Sequence, residues 1–354
     1  MTTLKILTIS SLLLIYQIIT YENVVLCQQG KGGGVKFLVK ESEKRADVMI
    51  GDRLVTSYCW PDNVYKPILY PVRTLAGTEI TRGFPLKPRE GERNDHLHQV
   101  GIWFNYGNVN GYDFWGNGST GEKSLNGGVI KHLKIVNAQN GQNGGVLETI
   151  ESWQDPSGEE LLKERTAYHF VPGPNFYCID RITTLTASDQ DVSFKDTKEG
   201  MYAIRVARQL ELPSDEDVPL IDAAGKPGTL KASSNIGVTG NYRSSTGISG
   251  IDVWGTRARW MDLYGSIGKE KISVIMCDHP GNPSYPTYWH ARGYGLFSAN
   301  PLGGKDFTDG KEIVDFSVPS GKSVTFKYRI IITSGFLMDD REINRLADEF
   351  AEMY

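Results

Sequence analysis

Apolar and polar positions alternate in short runs along most of the chain, with turn residues between the runs. Val35–Val39, Arg53–Tyr58, Pro67–Val72, Val146–Trp153, Phe176–Leu185, Lys271–Cys277 and Ser323–Thr333 each read as a strand. Gly144–Gly145, Asp155–Pro156, Pro172–Gly173–Pro174, Gly240–Asn241 and Pro319–Ser320–Gly321 punctuate them. Many short strands at this spacing predict an all-β chain, a large antiparallel β-sandwich of two stacked sheets rather than a closed barrel. One segment keeps a different period. Ile343, Leu346, Ala347 and Phe350 recur at helical spacing behind Asp339 and Asp340. They predict a single C-terminal helix, capped by one of those aspartates and lying as a lid over a sheet edge or barrel end. The polar stretch Glu211–Asp222 reads as a surface loop, and residues 35–354 read as one β-sandwich domain.

The start of the chain follows neither pattern. Lys5 precedes an apolar run from Ile6 to Ile19 that is short for a membrane span and suits a secretory signal. Residues 1–27 are therefore expected to be removed, with Val25 and Cys27 small enough for the cleavage subsites, and 28–34 to form a flexible leader. A lipid anchor at Cys27 is the weaker reading, because Leu26 is the wrong residue before an acylated cysteine. The expected location is outside the cytoplasm, periplasmic or extracellular, with no transmembrane span after the signal. A net charge of −4 with interspersed signs argues against a nucleic-acid partner. Cys59, Cys178 and Cys277 show no zinc-knuckle spacing; one disulfide and a leftover thiol fit an oxidising compartment, but disulfides do not organise the fold.

Chemistry concentrates in two segments, Asp95–Trp115 and Asp278–Gly304. Of six histidines, His96 and His98 lie in the first and His279 and His290 in the second, while His132 and His169 read as ordinary hydrogen-bonded imidazoles. On an extended backbone His96 and His98 would share one sheet face. Such a pair serves either as a metal pair, as a general acid/base or as plain loop hydrogen bonds, with Asp95 orienting a ring. Trp103, Asp113 and Trp115 follow in a run of aromatics, asparagines and glycines, the composition with which proteins hold sugars. In the second segment Asp278 pairs with His279, and Asn282, Trp289, Arg292, Tyr294 and Asn300 are candidate substrate contacts. Glu199 is a candidate base, its bland alternative being an exposed turn carboxylate. Arg257, between Trp254 and Trp260, is a candidate site wall.

Five stretches, KPILYPVRTLAGTEITRGFP, HLHQVGIWFNYGNVNGYDFW, DTKEGMYAIRVA, GISGIDVWGTRARWMDLYG and DHPGNPSYPTYWHARGYGLFSANPLGG, together resemble the bacterial family labelled "methane oxygenase PmoA". Where that family carries a DHPHHRG-like cluster this chain has NDHLHQVG, so Leu97 and Gln99 stand in place of a histidine and an arginine. The label does not fit as an activity, because a membrane methane oxygenase subunit needs several long apolar spans. The resemblance implies a galactose-mutarotase-like β-supersandwich, a fold of sugar epimerases, polysaccharide lyases and glycoside-processing domains. Fold alone does not assign function. Three readings follow. The first is a carbohydrate-active enzyme using His96, His98, His279 or His290 with Glu199 or Asp278 for proton transfer, as in epimerisation or β-elimination. The second is a non-catalytic glycan-binding module. The third is a metal-dependent oxygenase or hydrolase built on His96 and His98. In each the partner is a carbohydrate or other small molecule; cofactor and oligomeric state are left open.

Overall fold

A computed structural model describes residues 33–117, 126–230 and 235–354. The expected signal and Cys27 lie outside the described residues.

Two eight-stranded antiparallel sheets carry the fold. The first sheet runs, edge to edge, Val35–Lys40, Arg45–Ile50, Arg53–Cys59, Ile68–Leu69, Ile102–Tyr106, Gly200–Arg205, Leu296–Asn300 and Tyr288–Ala291. The second runs Asn241–Ser244, Trp260–Ile267, Glu270–Asp278, Ser323–Thr333, Phe176–Ala187, Glu160–Gly173, Gly145–Gln154 and Val129–Gln139. All seven sequence-predicted strands are present, Pro67–Val72 shrinking to Ile68–Leu69. Local chemistry explains particular joins. Gly173 pairs with Phe176 across Pro174–Asn175, and Asn175 sits at φ 61. Proline then asparagine is the order that a type II turn favours, since proline pre-sets the first position and asparagine tolerates the left-handed second.

Alternation along each strand divides its side chains between two faces. Phe104, Tyr202, Phe297 and Trp289 enter the core between the sheets, where Trp153 and Phe326 meet them. Trp103, Ala203, Arg205, Ser298 and His290 occupy the alternate positions of the same strands, on the outer face of the first sheet. The functional site is built on that outer face.

Asp339 caps the helix Asp340–Met353, its side chain accepting from the Glu342 amide at 2.9 Å, and all four residues of the predicted stripe are buried. The helix covers a face rather than an edge. Its stripe packs on Phe176, Cys178, Trp260, Ile275 and Ile331, on the outer side of the second sheet. A four-residue helix, Gly304–Phe307, was not foreseen. The expected loop Glu211–Asp222 also differs, since Val218–Ile221 pairs with Pro227–Leu230 and Glu211 is buried against Arg93 and Arg208. Among the described residues no helix is long and apolar enough to cross a membrane.

Candidate functional site

Register places Trp103, Ala203, Ser298 and His290 in one row across four neighbouring strands of the first sheet. The two middle residues are small, which leaves a shallow trough between a tryptophan and a histidine. Trp115 fills it. Its ring lies 5.4 Å from that of Trp103 and stacks at 6.3 Å and 21° on His290. Asp113 aims this tryptophan by accepting from the Trp115 and Gly116 amides at 2.9 and 2.8 Å.

His96 and His98 arrive from the loop before Ile102–Tyr106, and the loop is not extended as the sequence suggested. His96 has φ 45, and the Gln99 amide donates back to its carbonyl at 3.0 Å, so the two rings meet edge to face at 5.7 Å instead of side by side. Histidine is among the residues that tolerate such a conformation. Two buried arginines enforce it. Arg82, 1 % exposed, donates to the carbonyls of Asp95, His96 and Gln99 and to Asp95 Oδ1. Arg205, 0 % exposed, donates to the same Oδ1 at 2.7 Å and to the Gln99 side chain. Asp95 Oδ2 lies 3.2 Å from His96 Nδ1. Burial pushes the Asp95 carboxyl up, but the His96 hydrogen bond and the two arginines outweigh it and hold the group well below the usual carboxylate range.

The remaining groups come from two further segments. Tyr294 stacks on His96 at 5.0 Å and 9°, with Arg205 4.7 Å from its ring. The Arg292 guanidinium lies 5.7 Å from both the Tyr294 and Trp254 rings. Glu199 pairs with Lys198 at 3.1 Å and acts electrostatically on Tyr294, while Lys198 acts on His290. Beneath them Lys66, buried, donates to the His98 carbonyl at 2.6 Å and lies 5.3 Å from the Trp103 ring. Burial lowers its ammonium to about 7, against the pull of Asp113.

Two imidazoles here are held neutral. Burial, with Lys66 and His96 nearby, drives His98 down to about 3; burial, with Arg292 and Lys198, does the same to His290. Nδ1 of His290 is buried without a partner in a residue 2 % exposed. An unmade hydrogen bond of that kind costs about 1–3 kcal/mol. Folded values near 3 lie below the unfolded value of about 6.5, so between them the unfolded chain binds more protons. Each ring therefore lowers stability as pH falls below about 6.5, and each should stay neutral in the folded state down to about pH 4. An NMR titration of their Cε1 protons checks this, and a midpoint near 6.5 for either ring contradicts it.

The other sequence candidates lie elsewhere. Trp289 is turned by strand alternation into the core, its Nε1 donating to the Ala258 carbonyl. Asn300 is buried and shapes the following loop by holding the Thr197 carbonyl and Leu302 amide. Asp278 ends a strand of the second sheet and accepts from Asn282 and the Thr287 amide at 2.7 Å each. His279 packs edge-on against Phe350 of the C-terminal helix. Arg257 braces the same turn by donating to the Pro286 and Ser284 carbonyls. Asp278, His279, Asn282 and Arg257 thus shape a tight connection, and among the described residues their hydrogen bonds and ion pairs go to groups outside the histidine cluster. Among the described residues no group of three or more His, Cys, Asp or Glu is placed to hold a metal. Sequence reading missed Arg82, Arg205 and Lys66. Each stands in a stretch already quoted, TEITRGFP, MYAIRVA and KPILYP, where a lone cation in an apolar context was the available signal.

Two concavities lie away from this cluster, one lined by Thr78, Glu79, Arg89 and Arg208, the other by Asn110, Asp155, Asp191 and Lys195. In the first Arg89 pairs with Glu79 and Glu92 and Arg208 with Glu211, which leaves only the exposed Glu90 without an ion pair among the described residues. The histidine cluster is the candidate site because, among the described residues, it alone of the three joins an unpartnered imidazole nitrogen, at His290, to stacked aromatic rings and an arginine without an ion pair.

Solved structures with a similar chain path include a GH36 alpha-galactosidase from Geobacillus stearothermophilus, 12% identical with a TM-score of 0.39, covering 84% of this chain and 40% of that one. A galactose mutarotase-like protein from Clostridium acetobutylicum is 9% identical with a TM-score of 0.32, covering 86% and 99%. A galactose 1-epimerase from Lactobacillus acidophilus is 10% identical with a TM-score of 0.33, covering 87% and 100%. This chain thus spans well under half of the galactosidase. No curated protein matches it. Nothing in these comparisons supports the PmoA label. Residues 45–348 match the "Family of unknown function (DUF6807)", and the chain belongs to that family.

Proposed function

We propose that this protein binds a carbohydrate on the outer face of its first sheet, at the cluster of His96, His98, Glu199, His290, Arg292 and Tyr294. One observation carries the reading. Three segments distant in sequence converge there, and they leave hydrogen-bonding capacity unspent at His290 Nδ1 and at the Arg292 guanidinium. The exposed His96 imidazole and the half-buried carboxylate, guanidinium and phenol groups of Glu199, Arg292 and Tyr294 around aromatic rings suit hydroxyl-rich ligands, which need many directional partners and a flat apolar surface. His96, at 39 % exposure, is the most open imidazole of the cluster.

Proton transfer by the histidines is the less favoured reading. A base whose conjugate acid has a value of about 3 is poorly matched to neutral pH, and both His98 and His290 are held there in the ligand-free protein. Neutral imidazoles serve better as a donor and an acceptor at fixed positions.

Calorimetric titration with a panel of neutral and acidic oligosaccharides tests the proposal. Wild-type protein should bind at least one member. His98→Ala and Tyr294→Ala should each weaken it by about tenfold or more, the worth of one buried polar contact. His279→Gln, on the far sheet, should bind as wild type. No binding to any member, or binding that depends on His279 and not on Tyr294, sinks the proposal.

A further inference from the structure

The charges at this site are not balanced. Arg82 and Arg205 share the Asp95 carboxylate, and Lys198 takes Glu199. Asp113, the remaining carboxylate, is spent on the Trp115 and Gly116 amides, with Lys66 acting on it only through space. Arg292 is left over. Among the described residues its guanidinium makes no ion pair and no hydrogen bond; Trp254 and Tyr294, each 5.7 Å away, are its neighbours. An arginine held between aromatic rings keeps its planar fork of donors fixed and unspent, which is the arrangement that receives two oxygens of an oxyanion. His290, the nearest imidazole in sequence, feels the Arg292 charge and has its own Nδ1 buried and unpartnered. Most surface arginines on this chain, Arg165, Arg243, Arg259 and Arg345 among them, find a carboxylate within reach. Among the described residues Arg53 and Arg341 also make no ion pair, but neither is flanked by aromatic rings as Arg292 is.

Resting on the carbohydrate reading above, we infer that the ligand is an acidic carbohydrate, its carboxylate or sulfate ester held by the unpaired Arg292 guanidinium over Tyr294. Arg82 and Arg205 behind His96 share a single carboxylate and so leave a net positive charge, and an anion gains from the surroundings as well as from the fork. Glu199, tied to Lys198 and partly exposed, is available to ring hydroxyls.

Matched probes separate this from the broader reading. Oligogalacturonide, glucuronan and alginate oligomers are titrated beside their carboxyl-reduced counterparts, and a chondroitin sulfate oligomer beside its desulfated form. The acidic member of at least one pair should bind about 10–100-fold more tightly, the span of a charge-assisted hydrogen bond. Raised salt should shrink that ratio. Arg292→Gln should bring it close to one, and Arg292→Lys should keep part of it, with thermal unfolding confirming that both variants fold. Preference for uronates over sulfated oligomers, or the reverse, identifies which oxyanion is used. If neutral and acidic partners bind equally and binding still depends on Tyr294, the acidic-ligand inference is wrong while the carbohydrate site stands. If no probe of either kind binds, both fail.

Discussion

Asp95→Ala is expected to destabilise the protein by about 3 kcal/mol, more than any other substitution at the site. Removing one carboxylate strands two buried cations, because Arg82 and Arg205 both donate to Asp95 Oδ1 at 2.7 Å. Breaking a buried pair costs about 3–5 kcal/mol, and the 22 % exposure of the Asp95 side chain argues for the lower end. Arg82 and Arg205 also brace the His96–Gln99 turn through its carbonyls and the Gln99 side chain. Their release should therefore loosen His96 and His98 and abolish ligand binding in the same variant. Asp95→Asn keeps one acceptor and should fall between the two. Denaturant unfolding measures the effect, and a loss below about 1 kcal/mol would show that the arginines find other partners.

Asp180→Ala is the second large effect, expected at about 3–5 kcal/mol. The Arg329 fork meets this carboxylate with two parallel bonds, Nε to Oδ1 at 2.5 Å and Nη2 to Oδ2 at 2.6 Å, and both side chains are buried. Arg329 Nη1 also donates to the Leu346 carbonyl at 2.8 Å and its guanidinium lies 5.0 Å from the Phe350 ring. The pair therefore joins two strands of the second sheet to the C-terminal helix. Losing Asp180 leaves Arg329 charged and buried with only a carbonyl and a ring. Hydrogen exchange should show the helix amides of Asp340–Met353 opening sooner than in wild type. Because this pin lies on the far sheet, the His96 and Tyr294 contacts should survive in whatever fraction remains folded. Unfolding unchanged from wild type would contradict the assignment.

These two ionic anchors mark the limit of what the chain reveals before folding. Strand alternation and turn residues were enough to expect the two-sheet sandwich, and the Ile343–Phe350 stripe was enough to expect the helix. Which surface the helix would cover was not legible, since the stripe says only that one face is apolar. At the site the sequence singled out His96, His98, Trp115, His290, Arg292 and Tyr294, and the fold brings them together. It misled at Trp289, one position from His290, because a strand sends adjacent side chains to opposite faces and nothing local says which face is outside. It misled again at Asp278 and His279. Asp278 ends one strand and His290 lies in the next, and the nine-residue connection between those strands, 279–287, crosses from the second sheet to the first. Composition had joined what topology keeps apart. Arg82 and Arg205 went unmarked because only tertiary packing shows that two arginines share a single carboxylate.

The central claim is that these segments form one ligand site, and histidine side-chain NMR during the oligosaccharide titration tests it most directly. The ring signals of His96, His98 and His290 should move together along a single binding curve, while those of His169 and His279 stay in place. Separate curves for His98 and His290, or movement confined to His279, would contradict the account.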